Sequence, residues 1–188
     1  MDCQQVKPLH LSNFTVMSAS IDMPYFVRPS VNLSESDKRR AYENAIREIR
    51  ATLGDEQDRT VKMVTINCLL KTHLPYYYWT GFYENKGKRL VVGPYQGTLG
   101  CLYIAFDRGV CGAAAREGTT QIVDDVHALS QGTAHIACDP NSASEIVVPV
   151  FDARGDLIAV FDVDSTETSS FDTVDQTYLE ALMAEVFG

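Results

Sequence analysis

Two β-branched, apolar runs near the C-terminus, Glu145–Phe151 and Leu157–Val163, are separated only by the turn-forming residues Asp152-Ala153-Arg154-Gly155-Asp156. Strands joined so closely must pair antiparallel, because parallel neighbours need a crossover of a dozen or more residues. A second hairpin is written earlier. The aromatic run Tyr76-Tyr77-Tyr78-Trp79-Thr80-Gly81-Phe82-Tyr83 predicts a strand, and the turn Asn85-Lys86-Gly87-Lys88 leads into Leu90-Val91-Val92. Further strands are predicted at Leu102–Phe106 and Gln121–Val123, and a short alanine-rich helix opens at Gly109 and ends at Gly118.

Helical spacing brackets these strands. Ser34 is a potential N-cap for a helix with Tyr42, Ile46, Ile49 and Leu53 on its apolar face and Gly54 as its stop. A second helix is expected from about Thr60 to Thr72, with Val61, Val64, Cys68 and Leu69 on one side and Met63, Ile66 and Leu70 on another. So wide an apolar set implies burial against a sheet or in a dimer interface, with Cys68 as a small core residue. Asp172 caps a last helix whose inner face is expected to carry Val174, Tyr178, Leu182 and Val186. The fold class is therefore α+β: a mostly antiparallel sheet of about six strands flanked by N- and C-terminal helices. Residues 1–33 lack periodicity and read as an irregular extension holding an uninvolved thiol, Cys3, and a short apolar patch, Tyr25-Phe26-Val27. Residues 34–188 read as one domain.

A net charge of −9 argues against nucleic acid and anionic membrane surfaces as partners. No apolar run approaches the ~20 residues that span a bilayer, and the first residues lack a secretory pattern. Five cysteines without framework spacing fit a reducing, cytoplasmic setting.

Chemistry concentrates between Gly100 and Asp164. Cys111, in Gly-Val-Cys-Gly at a helix start, sits where unpaired amides favour a thiolate. Cys138 lies beside His135 and Asp139. Both are candidate reactive thiols, and the rival reading makes Cys101, Cys111 and Cys138 small core residues. Cys111, His127, His135 and Cys138 offer zinc-type ligands, but the histidines are eight residues apart and the cysteines 27, which argues against a metal. Asp162 and Asp164 alternate on one strand and so share a face, with Glu145 on the neighbouring strand. Such carboxylates can bind an ammonium group or act as acids, unless they are merely a solvated sheet end. Trp79 can wall a small pocket or simply fill the core.

Read in order, Trp79-Thr80-Gly81-Phe82-Tyr83, Val92-Gly93-Pro94-Tyr95-Gln96-Gly97, Cys101, Arg108-Gly109-Val110-Cys111-Gly112, Asp125-Val126-His127, His135-Ile136-Ala137-Cys138-Asp139, Ser144-Glu145-Ile146-Val147-Val148-Pro149 and Asp162-Val163-Asp164-Ser165 resemble the free methionine-R-sulfoxide reductases, a family with a GAF-type fold. The match runs from about Tyr42 to Gly188. It implies reduction of free L-methionine-(R)-S-oxide with no bound cofactor, with Cys138 as nucleophile, Cys101 as resolving thiol and Cys111 as a further thiol relaying the disulfide. It further implies Glu145, Asp162, Asp164, Trp79, Tyr83 and Asp124 at the substrate, thioredoxin (NADPH-linked) as reductant, and a homodimer. The loop between His127 and His135 is a few residues longer than in compact relatives, and the run Tyr76–Tyr78 is unusually aromatic. The alternative is a GAF-type ligand-binding or redox-sensing module, which would not turn over.

Overall fold

Ser34 accepts a hydrogen bond from the Asp37 amide at 3.2 Å and starts α1 (Glu35–Leu53), and Gly54 ends it with a φ of 52°. Asp58 accepts from Val61 N at 3.0 Å and starts α2 (Arg59–His73). Each such cap is worth about 1 kcal/mol. There follow β1 (Trp79–Asn85), β2 (Leu90–Gln96), β3 (Tyr103–Ile104), α3 (Gly109–Glu117), β4 (Gln121–Val123), α4 (Val126–Leu129), β5 (Ser144–Phe151), β6 (Leu157–Ser165) and α5 (Thr173–Phe187). This computed structural model describes residues 29–129 and 139–188. Cys3, the Tyr25–Val27 patch, His135 and Cys138 lie outside the described residues.

The six strands form one sheet in the order β3-β2-β1-β6-β5-β4, with every neighbouring pair antiparallel. The two hairpins foreseen from sequence, β1–β2 and β5–β6, are its body, and they join where β1 pairs with β6. Strand alternation then divides the residues between two faces. Phe82, Ile146, Val148, Val150, Phe161 and Val163 point to a large core under α1, α2 and α5. Trp79, Tyr83, Val147 and Val160 point the other way, into a smaller core with Val110, Cys111 and Ala114 of α3.

Several expectations are corrected. The aromatic strand begins only at Trp79. Tyr76 and Tyr77 are consecutive yet both enter the large core, which the alternation of a strand forbids. They sit instead in a turn after Pro75, where Tyr76 donates to Asp175 Oδ1 at 2.5 Å and the Tyr77 and Tyr42 hydroxyls lie 2.8 Å apart. Cys68 is exposed, not core, as are Val61 and Val64, because α2 buries its Met63, Ile66 and Leu70 side instead. The inner face of α5 carries Val174, Leu179, Leu182, Met183 and Phe187, with Tyr178 and Val186 at its margin. The strand placed at Leu102–Phe106 pairs only over Tyr103–Ile104, and Leu102 and Tyr103 are exposed.

The end of the N-terminal segment is tied to the domain. Ser30 donates from its backbone to Thr166 Oγ1 at 2.9 Å and from its hydroxyl to Tyr76 O at 3.0 Å.

Candidate active site

The smaller core ends in polar residues. Across the ladder Trp79 stands opposite Asp164 and Gly81 opposite Asp162, while Glu145 and Val147 flank the same two aspartates on β5. The strand period of two thus brings Glu145, Asp162 and Asp164 to one face, and α3 covers that face with Cys111. Sγ of Cys111 approaches Glu145 Oε1 at 4.0 Å. One carboxylate oxygen each of Glu145 and Asp162 and this sulfur lie within 4.8 Å of one another, and all three residues are buried.

The cluster has no counter-charge among the described residues. None of the ion pairs among the described residues involves Glu145, Asp162 or Asp164. Asp162 Oδ1 is buried without a hydrogen-bond partner among the described residues. Burial, then the charges of Asp162 and Asp164, push the Glu145 carboxyl well above the usual carboxylate range; burial, then the charge of Asp164, does the same to Asp162 against the lowering contacts of Cys111 and Glu145. Burial lifts the partly exposed Asp164 to about 7. Burial thus favours the protonated form of both Glu145 and Asp162. At the start of the nine-residue α3, burial, then the nearby carboxyls of Asp162 and Glu145, push the Cys111 thiol up, against the thiolate that a helix start favours. Burial likewise pushes the Tyr83 hydroxyl up, and Asp162, Cys111, Asp164 and Glu145 add to the effect, so this phenol faces the cluster as a donor.

Trp79 forms the wall. Its indole stacks between Tyr83, at 5.7 Å between ring centroids, and Tyr95, at 5.3 Å, and its Nε1 donates to Thr98 O at 3.0 Å. Glycines leave it room. A Cβ on Gly97, whose φ is 139°, would lie 2.5 Å from Trp79 Cδ1, and one on Gly100 would lie 2.9 Å from Tyr83 Oη. Gly81 matters similarly, since a Cβ there would meet Trp79 Cη2 at 2.5 Å directly beside Asp162.

A brace not foreseen from sequence lies next to this wall. Asp139 accepts hydrogen bonds from Tyr78 Oη at 2.8 Å, from Thr98 Oγ1, and from Asn141 N at 2.8 Å and Nδ2 at 2.9 Å. Burial works to raise its carboxyl, but these donors outweigh it and hold Asp139 below its ordinary range. The unusual aromatic run before Trp79 was the available signal, since Tyr78 supplies one of the donors.

The other expected residues divide. Cys101, in the loop after Gly100, is partly exposed and disulfide-bonded, whereas Cys68 and Cys111 are free thiols. Asp124 is exposed at the end of β4, one residue beyond the Val123–Glu145 pair, and so stands at the rim. His127 is exposed on α4, where Asp125 caps the helix start by accepting from His127 N at 2.9 Å. Cys138 lies outside the described residues.

Residues 70–186 match the GAF domain family. The free methionine-R-sulfoxide reductase of Escherichia coli is 35% identical, over 80% of this chain and 88% of its own length. The free methionine-R-sulfoxide reductase of Neisseria meningitidis, solved in complex with its substrate, is 37% identical with a TM-score of 0.72, covering 84% of this chain and 92% of that one. The reduced form of the Staphylococcus aureus protein fRMsr is 38% identical with a TM-score of 0.72, covering 78% and 92%. Within the GAF fold, this chain belongs to the free methionine-R-sulfoxide reductase family.

Proposed function

We propose that the protein reduces free L-methionine-(R)-S-oxide to methionine by thiol chemistry. The observation that carries this reading is the buried Glu145–Asp162 pair beside Cys111 and Tyr83, two carboxyls whose burial favours the protonated form and which have no ion-pair partner among the described residues. When a thiolate attacks sulfoxide sulfur, charge moves onto oxygen, and an acid already carrying its proton stabilises that oxygen. Asp164, near 7 and partly open to solvent, suits the ammonium of a free amino acid. Trp79 suits the methyl-thioether end through sulfur–aromatic contact, and Asp124 the rim.

In this mechanism Cys138 is the nucleophile. Its sulfur takes the oxygen, methionine leaves, and a sulfenic acid remains. The thiol of Cys101 attacks that sulfenic acid, water leaves, and a disulfide forms. The disulfide-bonded state of Cys101 is consistent with a resolving role. Cys111 can then relay the bond, and the dithiol of thioredoxin, recharged from NADPH, resets the site. A cytoplasmic location suits free thiols. The exposed Val61, Val64 and Cys68 stripe of α2 supports a homodimer contact there.

The test is NADPH consumption in the presence of thioredoxin and thioredoxin reductase, comparing the free R epimer, the free S epimer and a peptide-bound sulfoxide. Turnover confined to the free R epimer is expected. No turnover with any of them, from protein whose thiols are shown to be reduced, would favour a ligand-binding GAF module.

A further inference from the structure

The sequence offers a metal set built on histidines, and the fold assembles a different one. Cys111 Sγ, a Glu145 oxygen and an Asp162 oxygen converge within 4.8 Å from α3, β5 and β6. Around a tetrahedral divalent ion with metal–sulfur and metal–oxygen bonds of ~2.3 and ~2.1 Å, neighbouring sulfur and oxygen ligands stand about 3.6 Å apart. The Cys111 Sγ to Glu145 Oε1 separation of 4.0 Å needs only a few tenths of an ångström of contraction. Independently of the clustering, Asp162 Oδ1 accepts no hydrogen bond among the described residues, although Asp162 is only 6% exposed. A buried oxygen with no donor costs free energy that a ligand cation can relieve.

We propose that reduced protein binds one zinc-class divalent cation through Cys111, Glu145 and Asp162, with solvent or a substrate group as the fourth ligand. One soft thiolate with two carboxylates suits zinc, cobalt or cadmium better than magnesium or calcium, which favour oxygen alone. Binding is not a redox step. The thiol proton, and any proton on the two carboxyls, leaves to solvent as the metal–sulfur and metal–oxygen bonds form. The bound ion occupies the very acids and thiol of the site. It therefore makes the free enzyme metal-inhibitable, a consequence that rests on the reductase reading, whereas the binding itself does not.

The experiment is titration of the reduced full chain with cobalt(II) under anaerobic conditions, followed by absorbance, with zinc competition. A single site is expected, with a near-ultraviolet sulfur-to-cobalt charge-transfer band that zinc abolishes. Because loss of a mere supporting hydrogen bond weakens metal sites by ~10–100-fold, Asp162→Asn should weaken binding by at least about 100-fold. Cys111→Ser should remove the charge-transfer band, and Cys68→Ser should leave band and affinity unchanged. A band that survives Cys111→Ser, unchanged affinity in folded Asp162→Asn, or no binding by protein with titrated free thiols would each overturn the site. Turnover assayed in chelator tests the reductase reading separately, so failure of one is distinguishable from failure of the other.

Discussion

Two of the places where the described residues bury acidic groups treat them oppositely. On the helical side, Asp175 is fully buried, and every oxygen is engaged: Lys38 Nζ at 2.5 Å, Tyr42 Oη at 2.7 Å, Tyr76 Oη at 2.5 Å and Asp172 N at 2.9 Å. Asp175 thereby links α1, α5 and the turn after Pro75, and completes the capping box of α5. On the other side of the sheet, Glu145, Asp162 and Asp164 have among the described residues neither a salt bridge nor, at Asp162 Oδ1, any donor. The first arrangement stabilises the fold. The second stores repulsion and desolvation at a site, as expected where chemistry needs protonated acids.

The largest effect separating the two should follow removal of the compensated carboxylate. Asp175→Ala leaves a buried lysine short of its main counter-charge and two tyrosines short of acceptors, and should cost about 3–5 kcal/mol in urea unfolding. A loss under about 1 kcal/mol would refute the stabilising role given to this node.

The pH dependence sharpens the contrast. A carboxyl whose folded-state pKa is raised binds its proton more tightly when native, so the native state holds the extra proton between the unfolded and folded values. Stability therefore falls as pH rises through that interval. For Asp164 the interval runs from the ordinary 3.8 to about 7, and Glu145 and Asp162 act in the same direction. Unfolding free energy should decline between those values, and Asp164→Asn should flatten the decline. A rise over the same range would show the cluster to be compensated after all.

Smaller effects test the wall and the outer surface. Gly97→Ala combines a positive φ with a collision at Trp79, and should cost about 1–3 kcal/mol and raise KM for the sulfoxide. Cys68→Ser, on an exposed helix face, should stay within about 0.5 kcal/mol of the parent. A loss that appears only at concentrations where the protein self-associates would report the homodimer contact proposed for this stripe.

Period-2 alternation and short turns made both hairpins readable, and with them the shared face of Glu145, Asp162 and Asp164. Capping chemistry did the same for Ser34, Gly54 and Asp172. What stayed hidden was set by long-range packing. Whether α2 buries Cys68 or Asn67 depends on which side meets α1 and the sheet, and its apolar residues are spread too widely to say. The upward push on the Cys111 thiol is hidden in the sequence because a helix N-terminus is visible there, whereas two acids brought within 4.8 Å from other strands are not. Asp139 and Thr98, 41 residues apart, become partners only in the fold.

The most direct test replaces Asp162 by Asn and measures unfolding and turnover on one preparation. An uncompensated acid required for protonation predicts stability equal to or above that of the parent, with turnover of free methionine-R-sulfoxide lowered by ~100-fold or more. Full turnover, or a stability loss like that expected for Asp175→Ala, would contradict the assignment of this cluster as the catalytic site.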